Sequence, residues 1–418
     1  MFKTSYYRAQ GNVIQLTGKI NAFNTNDFCS AIEIIKKSKA KRIFIDFGRV
    51  ERAYPSGMLP IICELDLLRD NGVEININLP KKSDVRALFR SVNWAHYLAP
   101  DHFEKSDSIY DKHLVTRRYK TAEEQTKLVD DFMDLILRTM KLPKDIISGL
   151  EWSINEITDN VLNHSNAKFG GLMQATAYPT ENMIAFAVAD AGQGILKSMQ
   201  EGYPDLTYDL DAIGEAIKKG VTRNPKFGQG NGLAGSLKVA TLSDGSFDIT
   251  SGKGRLIVTQ EETTRKPLRY SRYNGTIVCG QVKNSDSFSI SEALDFYGTK
   301  SYIPLDIIDR NYEHEEDDCF KLIMNDETTG FGSRKSGMQI RNKVDNLLNS
   351  KPNYPIIIDW TGIPVISSSF ADEFIGKLFL RLGAMNFIAR VKNRGMEDLI
   401  NGLLDKAIAQ RLSQAIDE

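Results

Sequence analysis

The sequence lacks the features that would mark a secreted, membrane-embedded or nucleic-acid-binding protein. Its four cysteines form no CxxC pair and no Cys/His metal spacing, so we expect reduced thiols. Lysine and arginine total 53 against 54 acidic residues, and the formal net charge of −1 gives no general attraction to nucleic acid or anionic membranes. No stretch approaches the roughly 20 apolar residues of a membrane span, and the N-terminal residues lack an apolar signal core. We therefore expect a cytoplasmic protein with no membrane or nucleic-acid partner.

A polar stripe on a predicted helix is the first positive feature. Glu156, Asn160 and His164 follow one another at four-residue steps, so on an α-helix they share one face. Asparagine offers a neutral oxygen to Mg²⁺, and glutamate can accept a proton from water or a hydroxyl group. An ordinary solvated helix face is the alternative interpretation. The apolar stripe that would pack on a core comprises Ile146, Leu150, Ile154, Ile157 and Val161.

An aspartate ends an apolar run that we predict to be a strand. Asp190 closes this run, and Gly192 and Gly194 follow in a predicted tight turn. A carboxylate beside backbone that glycine leaves uncovered can accept a hydrogen bond from an exocyclic amine while the backbone approaches a flat ring. Adenine has both features, so the segment is a candidate adenine site.

Alternating glycines precede another predicted helix. Gly228, Gly230 and Gly232 stand immediately before a helical run over residues 233–240. Glycines at a helix N-terminus present unobstructed N–H donors and the positive end of the helix dipole, so the segment predicts an anion site. Either glycine cluster, taken alone, is also explained by an ordinary turn.

Together these motifs resemble, in order, the boxes of the GHKL ATP-binding fold, which histidine kinases, the gyrase B subunit, MutL and the anti-sigma-factor serine kinases share. The resemblance covers about residues 121–283 and implies an α+β sandwich that binds ATP with Mg²⁺. It implies that Asn160 coordinates Mg²⁺, that Glu156 is the general base and that Asp190 binds the adenine amine. The implied cofactor-binding set is Asn160, His164, Asp190, Gly192, Gly194, Arg223, Lys226, Gly228, Gly230, Asn231, Gly232, Leu233 and Thr276.

The same resemblance assigns the segment between the second and third motifs. Residues 202–227 occupy the place of the family's mobile ATP lid, where a cation from Lys218, Lys219, Arg223 or Lys226 could reach the γ-phosphate. Thr276 lies in the predicted strand 275–282, where the family often has a threonine beside the adenine.

Two segments outside this region resemble each other. They are RIFIDFGRVERAYPSG at 42–57 and PIIIDWTGIPVISSSF at 355–370. Aligned on Asp46 and Asp359, each has an apolar strand, an aromatic residue after the aspartate, a branched residue four places on and a serine ten places on, Ser56 or Ser369. The pair predicts an internal repeat of a strand, loop and helix.

The N-terminal copy, residues 1–100, alternates predicted strands with predicted helices and indicates a small α/β layer. Strands are expected at 13–20, 42–47 and 73–79, and helices at 26–37, 58–69 and 84–92. This copy resembles the STAS domain of anti-sigma-factor antagonists, in which a GHKL kinase phosphorylates a serine at a helix start. Ser56 falls at that position and is the candidate phosphoacceptor, although capping of the helix is the more ordinary role for such a serine.

The C-terminal copy, residues 284–418, resembles a STAS-like family of unknown biochemical role. Ser367, Ser368 and Ser369 precede a predicted helix that carries Asp372 and Glu373 in its first turn. Helix capping, with acidic residues that complement the dipole, explains this pattern without any modification of the serines.

The remaining segments connect these modules. We expect a linker at 101–120 that could hold one strand, then a helix at 121–140 whose Thr121 and Glu124 form a capping box. Residues 263–275 interleave basic and aromatic side chains; such a patch could stack bases, but an exposed hairpin loop is the expectation.

The sequence thus predicts an α/β protein in which two small STAS-like α/β domains flank a GHKL domain. Its predicted function is an ATP-binding switch with Mg²⁺-dependent ATPase or serine/threonine kinase activity, which couples nucleotide state to protein partners of the STAS-like domains in bacterial-type regulation. A homodimer is compatible with this function. A non-catalytic ATP-binding scaffold is the alternative, and a histidine kinase core ranks lower because the helix at 121–140 has no histidine.

Overall fold

The structure is a computed structural model, and it describes residues 8–106, 109, 111–218, 231–268, 271–284, 288–295, 305–314, 317–328 and 330–417. Helices and strands alternate through these residues, which confirms the predicted α/β class. The chain divides into two compact units: a first unit of Met1–Phe132 with Gly149–Tyr302, and a second unit of Met133–Ser148 with Ile303–Glu418. No helix among the described residues is long and apolar enough to cross a membrane.

The first unit begins with an N-terminal layer of strands and helices. Its sheet has the order β1-β2-β3-β4, with an antiparallel β1–β2 pair and parallel pairs thereafter. The elements are β1 (Arg8–Gln10), β2 (Val13–Ile20), α1 (Thr25–Ser38), β3 (Arg42–Ala53), α2 (Pro55–Asp70), β4 (Glu74–Asn78), α3 (Ser83–Ser91) and α4 (Trp94–Leu98), with a 3-10 turn at Ala22–Asn24.

The start of α2 corrects one prediction. Pro55 takes the first helical position, which its fixed φ suits, so Tyr54 is the N-cap and Ser56 is the second helical residue. The expectation that Ser56 caps this helix is therefore wrong. Pro60 lies inside the helix and, since proline has no N–H, it cannot donate to the carbonyl oxygen of Ser56.

The rest of the first unit is built on an antiparallel central sheet of order β10-β9-β8-β11-β7-β6-β5. Its elements are β5 (His113–Tyr119), α5 (Ala122–Thr139), α6 (Lys144–His164), β6 (Gly171–Tyr178), β7 (Met183–Asp190), α7 (Gly194–Met199), α8 (Asp209–Ala216), α9 (Gly232–Leu242), β8 (Ser246–Gly252), β9 (Gly254–Thr259), β10 (Thr263–Pro267), β11 (Tyr273–Lys283) and α10 (Ile290–Ala293), with a 3-10 turn at Pro179–Glu181.

The two edges of the central sheet come from segments predicted as a linker that could hold one strand and as an exposed loop, and only the loop differs from its prediction. Residues 113–119 of the expected linker form β5, which pairs with β6. Residues 263–267 of the expected exposed loop form β10, which pairs with β9 and keeps an exposed surface. Edge strands have only one paired neighbour and can carry polar residues, so their apolar alternation is weak.

The N-terminal layer packs directly on the central sheet. Helix α2 contacts β6, β7 and β11, and one apolar core joins both sets of elements. Most of α2 is buried, including every residue from Gly57 to Leu65, because it has the N-terminal sheet on one side and the central sheet on the other. Helix α9 contacts β8, β9 and β11.

The second unit repeats the plan of the N-terminal layer with additional helices. Its sheet has the order β12-β13-β14-β15, again with one antiparallel pair followed by parallel pairs. Its elements are α11 (Ile307–Asn311), β12 (Glu313–His314), β13 (Cys319–Ile323), α12 (Met324–Glu327), α13 (Arg334–Ser350), β14 (Ile356–Asp359), α14 (Ser368–Ala371), α15 (Lys377–Leu382), α16 (Ala384–Arg390), β15 (Val391–Arg394) and α17 (Asp398–Asp417), with a π-helical turn at Asp372–Gly376.

Residues 133–148, at the end of α5 and the start of α6, belong to this second unit. Buried Lys343 of α13 pairs with Asp134 and Glu327 and donates to the hydroxyl of Tyr312 at 2.9 Å. Asn346 accepts from the Leu142 N–H at 3.1 Å. The two compact units divide the chain after Phe132, Ser148 and Tyr302, while the domain boundaries at 121 and 284 stay a prediction.

Candidate functional site

Helix α6 carries the polar stripe found in the sequence. The structure confirms this helix, and the apolar residues Ile146, Leu150, Ile154, Ile157 and Val161 are buried. Glu156, Asn160 and His164 are half-buried on its other side. The helix therefore presents a carboxylate and a carboxamide one turn apart, held in place by its packed face.

The carboxylate of Glu156 lies against the first turn of α9. A Cβ added to Gly232 would lie 2.3 Å from Glu156 Oε2, so a larger residue at this position would displace the Glu156 carboxylate. Burial, and then the charge of Asp159, raise the pKa of Glu156 to about 6. The first and third sequence motifs are thus neighbours.

The N-terminus of α9 has the composition of an anion site. Asn231 is its N-cap residue and is buried, while Gly232 and Leu233 form the first turn of this eleven-residue helix. The first N–H groups of a helix have no partner within the helix. Arg223, Lys226, Gly228 and Gly230, which the resemblance assigns to phosphate binding, lie outside the described residues, as does Lys219.

Asp190 ends β7, as predicted, and its side chain is buried. The carboxylate accepts hydrogen bonds from the backbone N–H groups of Gly192 at 2.8 Å and Thr276 at 3.2 Å. Burial outweighs these two bonds and raises the pKa of Asp190 to about 7. A carboxylate has about four lone-pair positions, so it can accept further hydrogen bonds.

The turn after β7 is tied to the end of α6. Gln193 donates its backbone N–H to the Ser165 carbonyl at 2.7 Å and its side-chain amide to the His164 carbonyl at 2.9 Å. A Cβ on Gly192 would lie 2.2 Å from the Ser165 carbonyl oxygen, so a larger residue would separate the two segments. The first and second motifs are therefore also neighbours.

Ser251 is a site residue that the sequence did not indicate. Its hydroxyl donates to the Gly275 carbonyl at 3.0 Å, accepts from the Ile195 N–H at 2.9 Å and lies 3.1 Å from the hydroxyl of Thr276. It joins the turn that contains Gly194 to the start of β11. A single serine in a strand gives no sequence signal for contacts this distant along the chain.

The candidate phosphoacceptor Ser56 and the serines at the start of α14 lie elsewhere. Ser56 is half-buried in the first turn of α2. In the second unit Ser367 caps α14 by accepting the Phe370 N–H at 3.0 Å, which confirms the predicted cap, while Ser368 is exposed and Ser369 half-buried.

Metal-binding groups and thiols are sparse. Among the described residues, no group of three or more histidine, cysteine, aspartate or glutamate side chains could hold a metal ion. The four cysteines are free thiols, three of them buried and Cys279 half-buried. A metal at the α6 face would therefore depend on Asn160 together with oxygens of a bound ligand.

Comparison with known proteins supports one part of the sequence interpretation. Residues 336–400 match a family described as a STAS-like domain of unknown function (DUF4325). The match runs from α13 to the start of α17, so the predicted STAS-like character of the C-terminal region is confirmed for these residues. Among curated proteins, none matches the chain.

Proposed function

We propose that the first unit binds ATP with Mg²⁺ and is a nucleotide-dependent switch with ATPase or serine/threonine kinase activity. The observation that supports this function best is the convergence of three motifs from distant parts of the chain. Glu156 contacts the first turn of α9, and the turn after Asp190 is bonded to the end of α6. Glycine turns with unrelated structural roles would not be expected to lie together beside the carboxylates of Glu156 and Asp190.

The residues present fit an adenine nucleotide. Asp190 is a buried acceptor at a strand end, and its remaining lone pairs can accept a hydrogen bond from the exocyclic amine of adenine. The N–H groups at the start of α9 can bind phosphate oxygens. Asn160 would supply a neutral oxygen to Mg²⁺, which when bound offsets phosphate charge.

Glu156 is suited to accept a proton in this site. With a pKa of about 6 it is mostly ionised near neutral pH, yet it is more basic than an ordinary glutamate. A general base is most effective when its pKa lies near the working pH. It would accept a proton from water in an ATPase or from a serine or threonine hydroxyl in a kinase.

One contact favours the alternative, a non-catalytic ATP-binding scaffold. The Glu156 carboxylate lies against the N-terminal turn of α9, where a negative charge stabilises the helix dipole without any chemistry. The catalytic function requires the Glu156 carboxylate for ATP turnover, whereas the scaffold function does not.

The test combines calorimetry with γ-labelled ATP and Mg²⁺. Asp190→Asn should weaken ATP binding because an amide presents a donor where adenine needs an acceptor. Glu156→Gln should retain ATP binding and lower turnover by about 100- to 10,000-fold. Glu181→Gln is the matched control, since Glu181 is an exposed glutamate of the same unit that lies in the 3-10 turn between β6 and β7. Unchanged affinity in the Asp190 variant contradicts the adenine site, and equal turnover in the Glu156 variant contradicts the role of Glu156 as the base. ATP binding without turnover in the wild type favours the scaffold.

The proposal extends to the N-terminal layer as a STAS-like domain that takes part in the switch. Its support is the strand order and pairing directions that this layer shares with the sheet of the second unit. Both STAS-like regions would contact protein partners. If the protein is a kinase, label incorporated into wild type but not into Ser56→Ala would identify Ser56 as an acceptor.

A further inference from the structure

Glu64 is a buried carboxylate that the proposed mechanism does not use. It lies in α2 of the N-terminal layer, and its side chain is 1% exposed. One oxygen accepts hydrogen bonds from the Asn274 backbone N–H at 3.0 Å and from the Asn274 side-chain amide at 2.8 Å. The other oxygen accepts from Lys36 Nζ at 3.4 Å. Glu64 therefore fixes a residue at the start of β11.

The residues beside Asn274 hold Asp190 in place. The Tyr273 hydroxyl donates to the Asp190 carbonyl at 2.7 Å, and the Thr276 N–H donates to the Asp190 carboxylate at 3.2 Å. Gly275 passes so close that an added Cβ would lie 2.1 Å from the Asp190 carbonyl oxygen. Pairing between β11 and β8 shifts register between Tyr273 and Thr276, so the regular ladder does not fix this segment.

We infer that Glu64 is a positioning residue for the nucleotide site, and that the N-terminal layer thereby forms part of its adenine-binding end. The inference rests on the proposed ATP binding and adds a residue to it. In this role Glu64 acts through Asn274 and does not itself contact the nucleotide. It fixes Asn274, and through Tyr273 and Thr276 it sets the direction in which the Asp190 carboxylate presents its remaining lone pairs.

The contact has the properties that such a role requires. A buried charged acceptor that takes two hydrogen bonds from one residue is stronger and more directional than a neutral contact. Removing it leaves the Asn274 donors unpaired beside the segment that must present Asp190. Because coupling between a ligand and a second region is reciprocal, bound nucleotide should in turn protect α2 from hydrogen exchange.

The test uses the full chain and measures affinity for ATP and for GTP. Glu64→Ala should raise the ATP dissociation constant by about 10- to 100-fold. It should also reduce the preference for ATP over GTP, because guanine has no exocyclic amine where Asp190 accepts one from adenine. Glu64→Gln should largely restore both values, since the amide oxygen can still accept from Asn274. Glu33→Ala is the matched control: Glu33 also lies near Lys36, at 3.7 Å, and its side chain is 40% exposed.

The outcomes separate this inference from the function on which it rests. A wild type that does not bind ATP contradicts both. A wild type that binds ATP, beside a Glu64→Ala variant of equal affinity and equal preference for ATP, overturns the inference alone. If the alanine variant does not fold, Asn274→Ala removes one of the two hydrogen bonds and leaves Glu64 in place. It should weaken ATP binding and reduce ATP-dependent protection of α2, and a variant that matches wild type in both overturns the inference.

Discussion

The N-terminal and C-terminal sheets follow one plan, and they differ in what covers the helix after the central strand. Each has an antiparallel edge pair followed by two parallel pairings. In each, the aligned aspartate accepts the N–H two residues on: Asp46 from Gly48 at 2.8 Å and Asp359 from Thr361 at 2.9 Å. The repeat seen in the sequence is therefore also a repeat of local structure.

Beyond these aspartates the two copies diverge. Strand β3 continues to Ala53 and leads at once into α2, which packs on the central sheet. Strand β14 ends at Asp359, and α14, the π-helical turn and α15 pack on α13 and α17 of their own unit. Helix α2 of the N-terminal copy is thus buried by the central sheet, whereas the corresponding helices of the C-terminal copy are buried by other helices of their own unit.

Matched leucine truncations should separate these two modes of burial. Leu65 and Leu378 are equally far after Asp46 and Asp359, and both are fully buried. Leucine to alanine at either position should cost about 2–5 kcal/mol of unfolding free energy. We expect Leu65→Ala to reduce hydrogen-exchange protection in β6, β7 and β11 as well as in α2. Leu378→Ala should act within the second unit. Undiminished protection of β7 in the Leu65 variant would contradict the dependence of α2 on the central sheet.

A third aspartate makes the same turn in a different environment. Asp190 accepts the Gly192 N–H at 2.8 Å, as Asp46 accepts that of Gly48, but burial raises the pKa of Asp190 from 3.8 to about 7. Since the folded state then retains a proton that the unfolded state has lost, stability is highest below the unfolded pKa and falls as pH rises through about 7.

The expected loss for Asp190 is about 2 kcal/mol between about pH 5.5 and about pH 8. Asp190→Asn cannot ionise, so thermal unfolding of this variant should lack that component of the pH dependence. The quantity to compare is the slope of stability against pH in the wild type and in the variant. A change in stability that the amide causes equally at every pH does not affect this slope. Equal slopes would mean that Asp190 is ionised throughout this range.

The sequence predicted the elements whose apolar pattern is regular or continuous along the chain. Helix α6 and strands β2 and β7 lie where their patterns place them, because each has one apolar face or one continuous apolar run. Helix α2 was predicted to begin at Met58 and begins at Pro55. Because α2 is buried on both sides, its apolar residues are nearly continuous and show no helical periodicity from which its ends could be predicted.

Residues that act through long-range contacts gave no sequence signal. Glu64 and Asn274 are 210 positions apart, and the bond between them depends on the packing of two sheets. Ser251 looks like an ordinary strand residue in the sequence, and its role follows only from its hydrogen bonds with Gly275 and Ile195 in the folded chain. The motifs could identify candidate ligand-binding residues, but they could not identify the residues that hold them.

The serines at the two helix starts provide a third comparison. In the repeat alignment Tyr54 matches Ser367, and each is the N-cap of its helix, while Ser56 and Ser369 are each the second helical residue. Only Ser367 caps through its side chain. Ser367→Ala should therefore lower stability by about 0.5–2 kcal/mol. Ser56→Ala and Ser369→Ala should stay within about 0.5 kcal/mol, as measured by denaturant unfolding. A larger loss at Ser56 than at Ser367 would reverse the assignment of the caps.

The smallest expected effects concern the two aligned aspartates themselves. Burial alone would raise the pKa of Asp46, but hydrogen bonds from Gln15, Gly48 and Asn78 outweigh it and lower the pKa. Hydrogen bonds from Thr361 lower the pKa of Asp359. A lowered folded pKa adds stability above the unfolded pKa, and this stability is lost as pH falls through the folded value, which is the opposite sign to Asp190.

Asparagine keeps an oxygen for the turn and loses only the charge, so Asp46→Asn and Asp359→Asn should each cost up to about 0.5–1 kcal/mol near neutral pH. The difference from wild type should shrink in thermal unfolding at about pH 3, because the wild-type carboxylates are then being protonated. A difference that grows on acidification would show that the folded pKa values of these aspartates are raised, like that of Asp190, and not lowered.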